Sequence, residues 1–500
     1  MVRIITDYLD ETAKKYPNKI AFSDEHREIT FGELREEALT IATIIIKKRI
    51  YKQPIAVFLD KSVECIVAFM GILYSGNFYT PLDTQMPSIR LKKIIETLKP
   101  VFIVTDDKHK YEVVNFASST NVIDIKDISC LNINKSKVGH VINQIVDTDL
   151  AYVLFTSGST GVPKGVVISH KSVIAYTEWV SDAFDINEKT VIGNQTPFYF
   201  SMSVLDIFQT LRNASTLYII PKILFSFPIK LLEYIGEKNI NFIYWVPSAL
   251  CQVANLRALG KRDISCLKQI LFAGEVMPAK QLNLWRRNLP ETIFANLFGP
   301  TEVTDICTYY ILNREIMDDE PVPIGTVCKN SSILILDENN KEVCYGGQGE
   351  LCVRGSILAY GYYNNKQKTD EVFVQNPINA LYPEFIYRTG DLVHFNDLGE
   401  IIYDGRKDFQ IKHMGNRIEL GEIETAAYSI AQILQCCCLY DTKKCKIVLF
   451  YSGNIDEQDV LLELQSKIPS YMVPNRIIRK KSLPLNLNGK IDRIQLKELI

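Results

Sequence analysis

Short, continuous apolar runs recur over roughly the first four hundred residues, and they constrain the fold more than any other feature. Ile55-Ala56-Val57-Phe58-Leu59, Val101-Phe102-Ile103-Val104 and Ala151-Tyr152-Val153-Leu154-Phe155 are examples, each separated from the next by amphipathic stretches. A strand with no polar alternate position is buried on both faces, and the intervening segments supply the helices that cover it. The pattern predicts an α/β fold built on mostly parallel sheets. After Gly405-Arg406-Lys407-Asp408 the character changes. A few short strands, a helix around 419–429 and another around 457–467 predict a small α+β unit. The expected organisation is a large N-terminal part over residues 1–404, a link at 405–408 and a small part over 409–500. More than one domain also suits a 500-residue chain, since domains average about 150 residues.

Composition excludes several classes. With 47% hydrophobic and 23% charged residues the chain is not disordered, and a formal charge of −2 gives no dominant basic field for nucleic acid. Apolar runs such as Ile66 to Leu73 fall short of the ~18 residues a membrane helix needs. The N-terminus shows no apolar signal region, so the expectation is a cytoplasmic protein with no membrane partner. Among 12 cysteines there is no CxxC pair, and none of the 6 histidines sits at HExxH spacing. The cysteines therefore read as reduced, small hydrophobes rather than metal ligands.

The most informative segment is Thr156-Ser157-Gly158-Ser159-Thr160-Gly161-Val162-Pro163-Lys164-Gly165, set between an apolar strand and a second one at Val166-Val167-Ile168. Its glycines let the backbone turn tightly, so that amide N–H groups converge on an anion. The hydroxyls add donors, and Lys164 adds a point charge for phosphate oxygens. Pro163 stands where GxxxxGK[ST] requires its second glycine, and no helix follows as GxGxxG requires. The alternative is a Ser/Gly-rich hairpin without a ligand, which the density of hydroxyls and the single lysine disfavour.

Further motifs follow in order: Asn296-Leu297-Phe298-Gly299-Pro300-Thr301-Glu302, Gly349-Glu350-Leu351 with Gly361-Tyr362-Tyr363, Tyr387-Arg388-Thr389-Gly390-Asp391-Leu392, the run from Gly405 to Glu424, Pro469 to Pro474, and Asn488-Gly489-Lys490-Ile491-Asp492-Arg493. Together with the loop they resemble the signature boxes of the adenylate-forming superfamily, which includes acyl-CoA synthetases, luciferases and the adenylation domains of nonribosomal peptide synthetases. The forms after Gly405 and around Lys490 are most similar to the peptide-synthetase members. The resemblance implies a large domain of α/β sheets with a β-barrel-like part and a small mobile α+β C-terminal domain. It also implies a two-step reaction: a carboxylate attacks ATP to give acyl-AMP and pyrophosphate, and a thiol then takes the acyl group. The chain is thus identified as resembling a free-standing adenylation domain that loads the phosphopantetheine of a separate carrier protein. An acyl- or aryl-CoA ligase is the alternative, with a non-catalytic nucleotide sensor behind it.

The resemblance also assigns roles. Thr156, Ser157, Gly158, Ser159, Thr160, Gly161 and Lys164 would hold the ATP phosphates, and Glu302 would bind the Mg²⁺ that bridges them. Asn296 and the backbone around Leu297-Phe298 would frame adenine, with Phe298 stacking on it, and Gly299 and Thr301 would complete the ATP-binding set. Asp391 would accept hydrogen bonds from the ribose hydroxyls, with Arg406 nearby. Lys490 would be the catalytic lysine of the first step, Asp408 the hinge, and the 412–415 segment the lining of the thiol's approach.

The acyl pocket departs from the common pattern. Relatives that activate α-amino acids place an Asp against the substrate ammonium in an FDxS segment, and Ser201 takes that position within Phe200-Ser201-Met202. An ammonium buried without its counter-ion is costly, so an ordinary α-amino acid is not expected. The other implied lining residues are Leu205, Tyr244, Leu271, Ala273, Leu297, Asp305 and Ile306. Mostly apolar, they suit a compact hydrophobic acid, with Asp305 free to meet a polar ring substituent. The expected substrate is an aryl acid such as an aminobenzoate, with β-amino or α-amino acids as the alternatives.

Overall fold

A computed structural model describes residues 2–126, 133–158, 161–343, 346–442, 444–485 and 491–500. Two large sheets carry the N-terminal part. The first has six strands in the order Asn121–Asp124, Phe102–Thr105, Pro54–Val57, Phe78–Pro81, Leu150–Thr156 and Lys164–Ser169. All its neighbours are parallel except the last pair, an antiparallel hairpin that carries the glycine-rich loop. The second sheet has nine strands, and its parallel centre runs through Ile293–Phe298, Gln269–Phe272, Phe242–Trp245, Val191–Asn194 and Thr216–Ile219. Helix Val63–Tyr74 is apolar on every side, and all but one of its residues are buried. A helix of that kind belongs inside a core rather than on its surface. It joins the main cluster with Ile55 and Val57 of the first sheet and Phe22 and Ile192 of the second.

Residues 331–406 form a five-stranded antiparallel sheet, the barrel-like part, whose strand order does not close on itself. Beyond it, Gln410–His413 and Asn416–Glu419 pair as a hairpin across Met414-Gly415. Both turn residues have positive φ, +50° and +75°, as a two-residue hairpin turn requires. A three-stranded sheet of Ile433–Asp441, Lys446–Gly453 and Arg476–Arg479 follows. Helices Leu420–Tyr428 and Glu457–Lys467 pack with this sheet in a core of their own, built on Ile418, Ile423, Leu449, Tyr451, Leu464 and Met472. Cys436 and Cys438 lie in that core and Cys437 in a neighbouring cluster. Every cysteine among the described residues is free. No helix among them is long and apolar enough to cross a membrane.

Candidate active site

The cavity lies where the edges of the two large sheets meet the Gln410–Glu419 hairpin. Its wall includes Thr156, Ser157, Phe200, Ser201, Met202, Ala273, Gly299, Thr301, Asp305, Ile306, Asp391, Arg406, Gln410, Lys412 and Arg417. Residues far apart in sequence thus converge on one space.

At one end stands Glu302, in a short 3-10 turn, with its carboxylate fully buried. It accepts hydrogen bonds from the Tyr362 hydroxyl at 2.7 Å and from Arg417 Nη1 at 2.6 Å. Burial alone would raise its pKa, but the charges of Arg417 and Lys164 and the tyrosine hydroxyl bring it down to about 2. Tyr362 is held there because Gly361-Tyr362-Tyr363 pairs antiparallel alongside the strand Lys164–Ser169: Gly361 accepts from Val167 N–H, and Tyr363 N–H donates to Gly165 O. Lys164 is buried, 5.3 Å from the centre of the Tyr362 ring and 3.4 Å from Glu419 Oε1. Burial and the neighbouring Arg417 lower its pKa. At Gly158 an added Cβ would lie 2.1 Å from the Val162 carbonyl oxygen, so the loop admits no side chain there. Gly161, at φ +75°, packs against Thr425 of the C-terminal part. Ser159, Thr160 and Lys490 lie outside the described residues.

A second polar group sits where the five-stranded sheet meets the hairpin. Asp391 accepts from Arg406 Nη1 at 2.8 Å, and Arg406 also donates twice to Asp408, at 2.7 and 2.9 Å. Glu350 of the Gly349-Glu350-Leu351 box fixes the turn before Asp391 by accepting from Gly390 N–H at 3.0 Å and from Arg388 at 2.8 Å. Asn296 is turned away and donates to the Pro323 carbonyl. Lys412 Nζ lies 4.5 Å from the centre of the Phe298 ring and 5.9 Å from that of Tyr403, a cation–π arrangement. It covers the aromatic face expected to meet adenine.

The acyl end is built around Asp305. The 3-10 turn Thr301–Val303 leads into Thr304 and Asp305, both with positive φ, +54° and +88°. Such consecutive left-handed residues are strained for side chains with a Cβ. Here the turn is pinned by the Thr304 hydroxyl, which donates to Ile357 O at 2.7 Å. The conformation aims the Asp305 carboxylate at three hydroxyl donors: Tyr176 at 2.8 Å, Tyr244 at 3.0 Å and Ser201 at 3.0 Å. Thr301 donates in turn to Ser201 at 3.4 Å. Burial raises the Asp305 pKa and the three hydroxyls oppose it, leaving it at about 6. Leu205, Leu271 and Leu297 stand behind the cavity wall in the main core, and Tyr244 reaches the site only through its hydroxyl.

Sequence reasoning missed Tyr176, Arg417, Glu419 and Glu422. Arg417 and Glu419 left a signal: charges at alternate positions of Arg417-Ile418-Glu419 share one strand face. Tyr176 left none, because its partner lies 129 residues away.

Residues 9–363 match the family described as AMP-binding enzyme. Zwittermicin A synthase ZmaJ of Bacillus cereus is 32% identical over 510 residues, spanning 99% of this chain and 94% of that protein. The ligase that joins L-proline to the L-prolyl carrier protein in Streptomyces coelicolor is 32% identical over 492 residues, spanning 93% of this chain and 91% of that one. Gramicidin S synthase 1 of Brevibacillus brevis is 30% identical over 502 residues, covering 99% of this chain but 44% of the larger protein. The adenylation domain AlmE of Vibrio cholerae, solved in complex with glycyl-adenosine-5'-phosphate, has the same fold, with a TM-score of 0.86 at 21% identity over 99% of this chain and 97% of that one.

Proposed function

The chain belongs to the AMP-binding enzyme family of ATP-using, acid-activating ligases, and we propose that it activates an aryl acid carrying an amino or hydroxy group, an aminobenzoate type, and passes it to the phosphopantetheine thiol of a separate carrier protein. In the first step a carboxylate oxygen attacks the α-phosphorus, the bond to the bridging oxygen breaks, and pyrophosphate leaves. Lys164, Thr156, Ser157, Ser159 and Thr160 hold the departing phosphates. Glu302 is the residue that would hold Mg²⁺, because its carboxylate is a hard oxygen donor kept ionised by its surroundings. No cluster of three or more metal-ligating side chains occurs among the described residues, so phosphate and water would complete the shell. When bound, the ion supplies charge neutralisation for the leaving pyrophosphate. Asp391 takes the ribose hydroxyls, Arg406 orients it, and Lys490 meets the charge that shifts onto the α-phosphate oxygens. In the second step sulfur attacks the acyl carbon, and AMP departs with the former carboxylate oxygen.

The observation that carries the substrate class is the pairing of Ser201 with Asp305. An α-ammonium meeting Ser201 forgoes a charge-assisted partner worth ~1.5–3 kcal/mol. An arylamine or phenol carries no charge at neutral pH and still offers hydrogen-bond partners to Ser201 and Asp305, while Met202, Ala273 and Ile306 line the cavity beside them. The L-prolyl carrier protein ligase supports a carrier thiol as acceptor. A second reading, a β-amino acid, is favoured by one feature: Asp305 is a buried carboxylate that an ammonium beyond the α-carbon can meet. Pyrophosphate release with ATP, Mg²⁺ and a panel of aryl, β-amino and α-amino acids decides among these. Amino- or hydroxybenzoates should give the highest kcat/KM. A β-amino acid in first place selects the second reading, and leucine, phenylalanine, alanine or proline in first place overturns both. Comparing CoA with a carrier protein as acceptor tests the thiol.

A further inference from the structure

Three carboxylate contacts tie the C-terminal part to the phosphate end of the cavity. Arg417 pairs with Glu302 at 2.6 Å. Glu419 pairs with Lys164 at 3.4 Å. Glu422 Oε2 accepts from Gly158 N–H at 3.3 Å, and the Ser157 hydroxyl donates to Arg417 O at 2.7 Å. In each case the C-terminal residue satisfies a group that phosphate or its metal would otherwise engage: a carboxylate on the lysine, a carboxylate on the loop amide, a guanidinium on the acid. The docked C-terminal part and a bound pyrophosphate therefore want the same groups.

Arg90 meets this arrangement from the N-terminal side. It lies on helix Ser88–Leu98, outside every motif, and its side chain is only 5% exposed. Its Nη1 forms an ion pair with Glu422 Oε1. The same Nη1 lies 3.9 Å from the Met472 sulfur, so two separate C-terminal elements meet one N-terminal side chain. Nothing in the adenylation chemistry accounts for a buried arginine here. A guanidinium whose buried carboxylate partner comes from the other part of the chain has its charge paired in this orientation, although its Nε meets no partner among the described residues, and must find water when the parts separate.

Resting on the two-step reading above, we propose that Arg90 is a positioning residue for the second half-reaction: it holds Glu422 over the phosphate loop, so the Gln410–Glu419 hairpin docks only once pyrophosphate has left. Docking and pyrophosphate binding then oppose one another, and a change that weakens docking strengthens pyrophosphate binding by up to the same factor.

The test is calorimetric titration of the full chain with magnesium pyrophosphate, which needs no knowledge of the acid. Arg90→Met should bind it about threefold or more tightly than wild type, because the competing docked state is weakened. The sign is diagnostic, since the loss of a nearby cation by itself weakens binding of an anion. Glu422→Gln should tighten binding as well. Should Arg90→Met not fold, Arg90→Gln takes its place. Transfer of the acyl group from preformed acyl-adenylate to a thiol should fall about tenfold in Arg90→Met, with adenylation kept within about twofold. Unchanged or weaker pyrophosphate binding in the Arg90 variants overturns the inference, as does equal loss in both half-reactions. A wild-type enzyme that adenylates but loads no thiol contradicts the two-step reading alone, and the calorimetric sign still decides the role of Arg90.

Discussion

At the scale of single residues, the acyl end is a contest between burial and hydrogen bonding at Asp305. Its raised pKa means the folded chain holds the proton more tightly than the unfolded one, so stability falls as pH rises from the ordinary aspartate range to about 6. The shift corresponds to about 3 kcal/mol. Asp305→Asn should remove that dependence: the gap in unfolding midpoint between wild type and variant, measured from pH 4 to 7, should move against wild type as pH rises and level off above about 6. Ser201→Asp should lower turnover of benzoate-type acids by setting a second carboxylate beside Asp305, read as a loss of kcat/KM in pyrophosphate release. An increase in turnover contradicts the assigned pocket. Lys490→Ala should cut the rate of adenylation by about a hundredfold or more while ATP affinity stays within a few-fold, the result expected of the proposed contact with charge that develops in the transition state. Equal loss in transfer from preformed acyl-adenylate contradicts that division. The role proposed for Lys490 comes only from the motif around it, and Lys490 lies outside the described residues, whereas Asp305 stood out as the one acid in an apolar set. What its sequence neighbours did not show is that Tyr176 and Tyr244, from other elements, donate to the same carboxylate oxygen.

At the scale of elements, the hairpin Gln410–His413 and Asn416–Glu419 brings the C-terminal part to the cavity wall. Alternation puts Gln410, Lys412, Arg417 and Glu419 toward the cavity, while His413 faces away and meets the Tyr440 hydroxyl at 3.3 Å. His413 therefore falls on the outer face of the hairpin and Met414 in its turn. Gly415 is the tight point. Its φ is +75°, and an added Cβ would lie 2.5 Å from Val246 Cγ1. Gly415→Val should slow thioester formation by about tenfold through a clash with Val246 that exists only in the docked orientation, the strain at positive φ being common to both orientations. Adenylation measured by pyrophosphate exchange should be spared; a matching loss there means the hairpin serves both steps.

At the scale of the molecule, the contacts between the N-terminal part and residues 409–500 are rich in ion pairs, whereas the C-terminal core closes on its own apolar residues. An interface of that kind favours relative movement over permanent attachment. A fragment ending at residue 407 should fold, with a melting midpoint within about 5 °C of the corresponding transition in the full chain. A fragment that is unfolded or aggregated means the two parts share one core.

The sequence alone determined the α/β class, the change of character after Asp408 and the family. Those depend on local periodicity and on glycines, prolines and charged residues whose spacing along the chain is itself the signal. Only the tertiary structure decided that Arg417 stands against Glu302, that Glu419 and Glu422 lie on the phosphate loop, and that Arg90 anchors one of them. These pairs span 115, 255, 264 and 332 residues. Electrostatic attraction acts through space and carries no periodicity, so no pattern along the chain records which buried charges will meet.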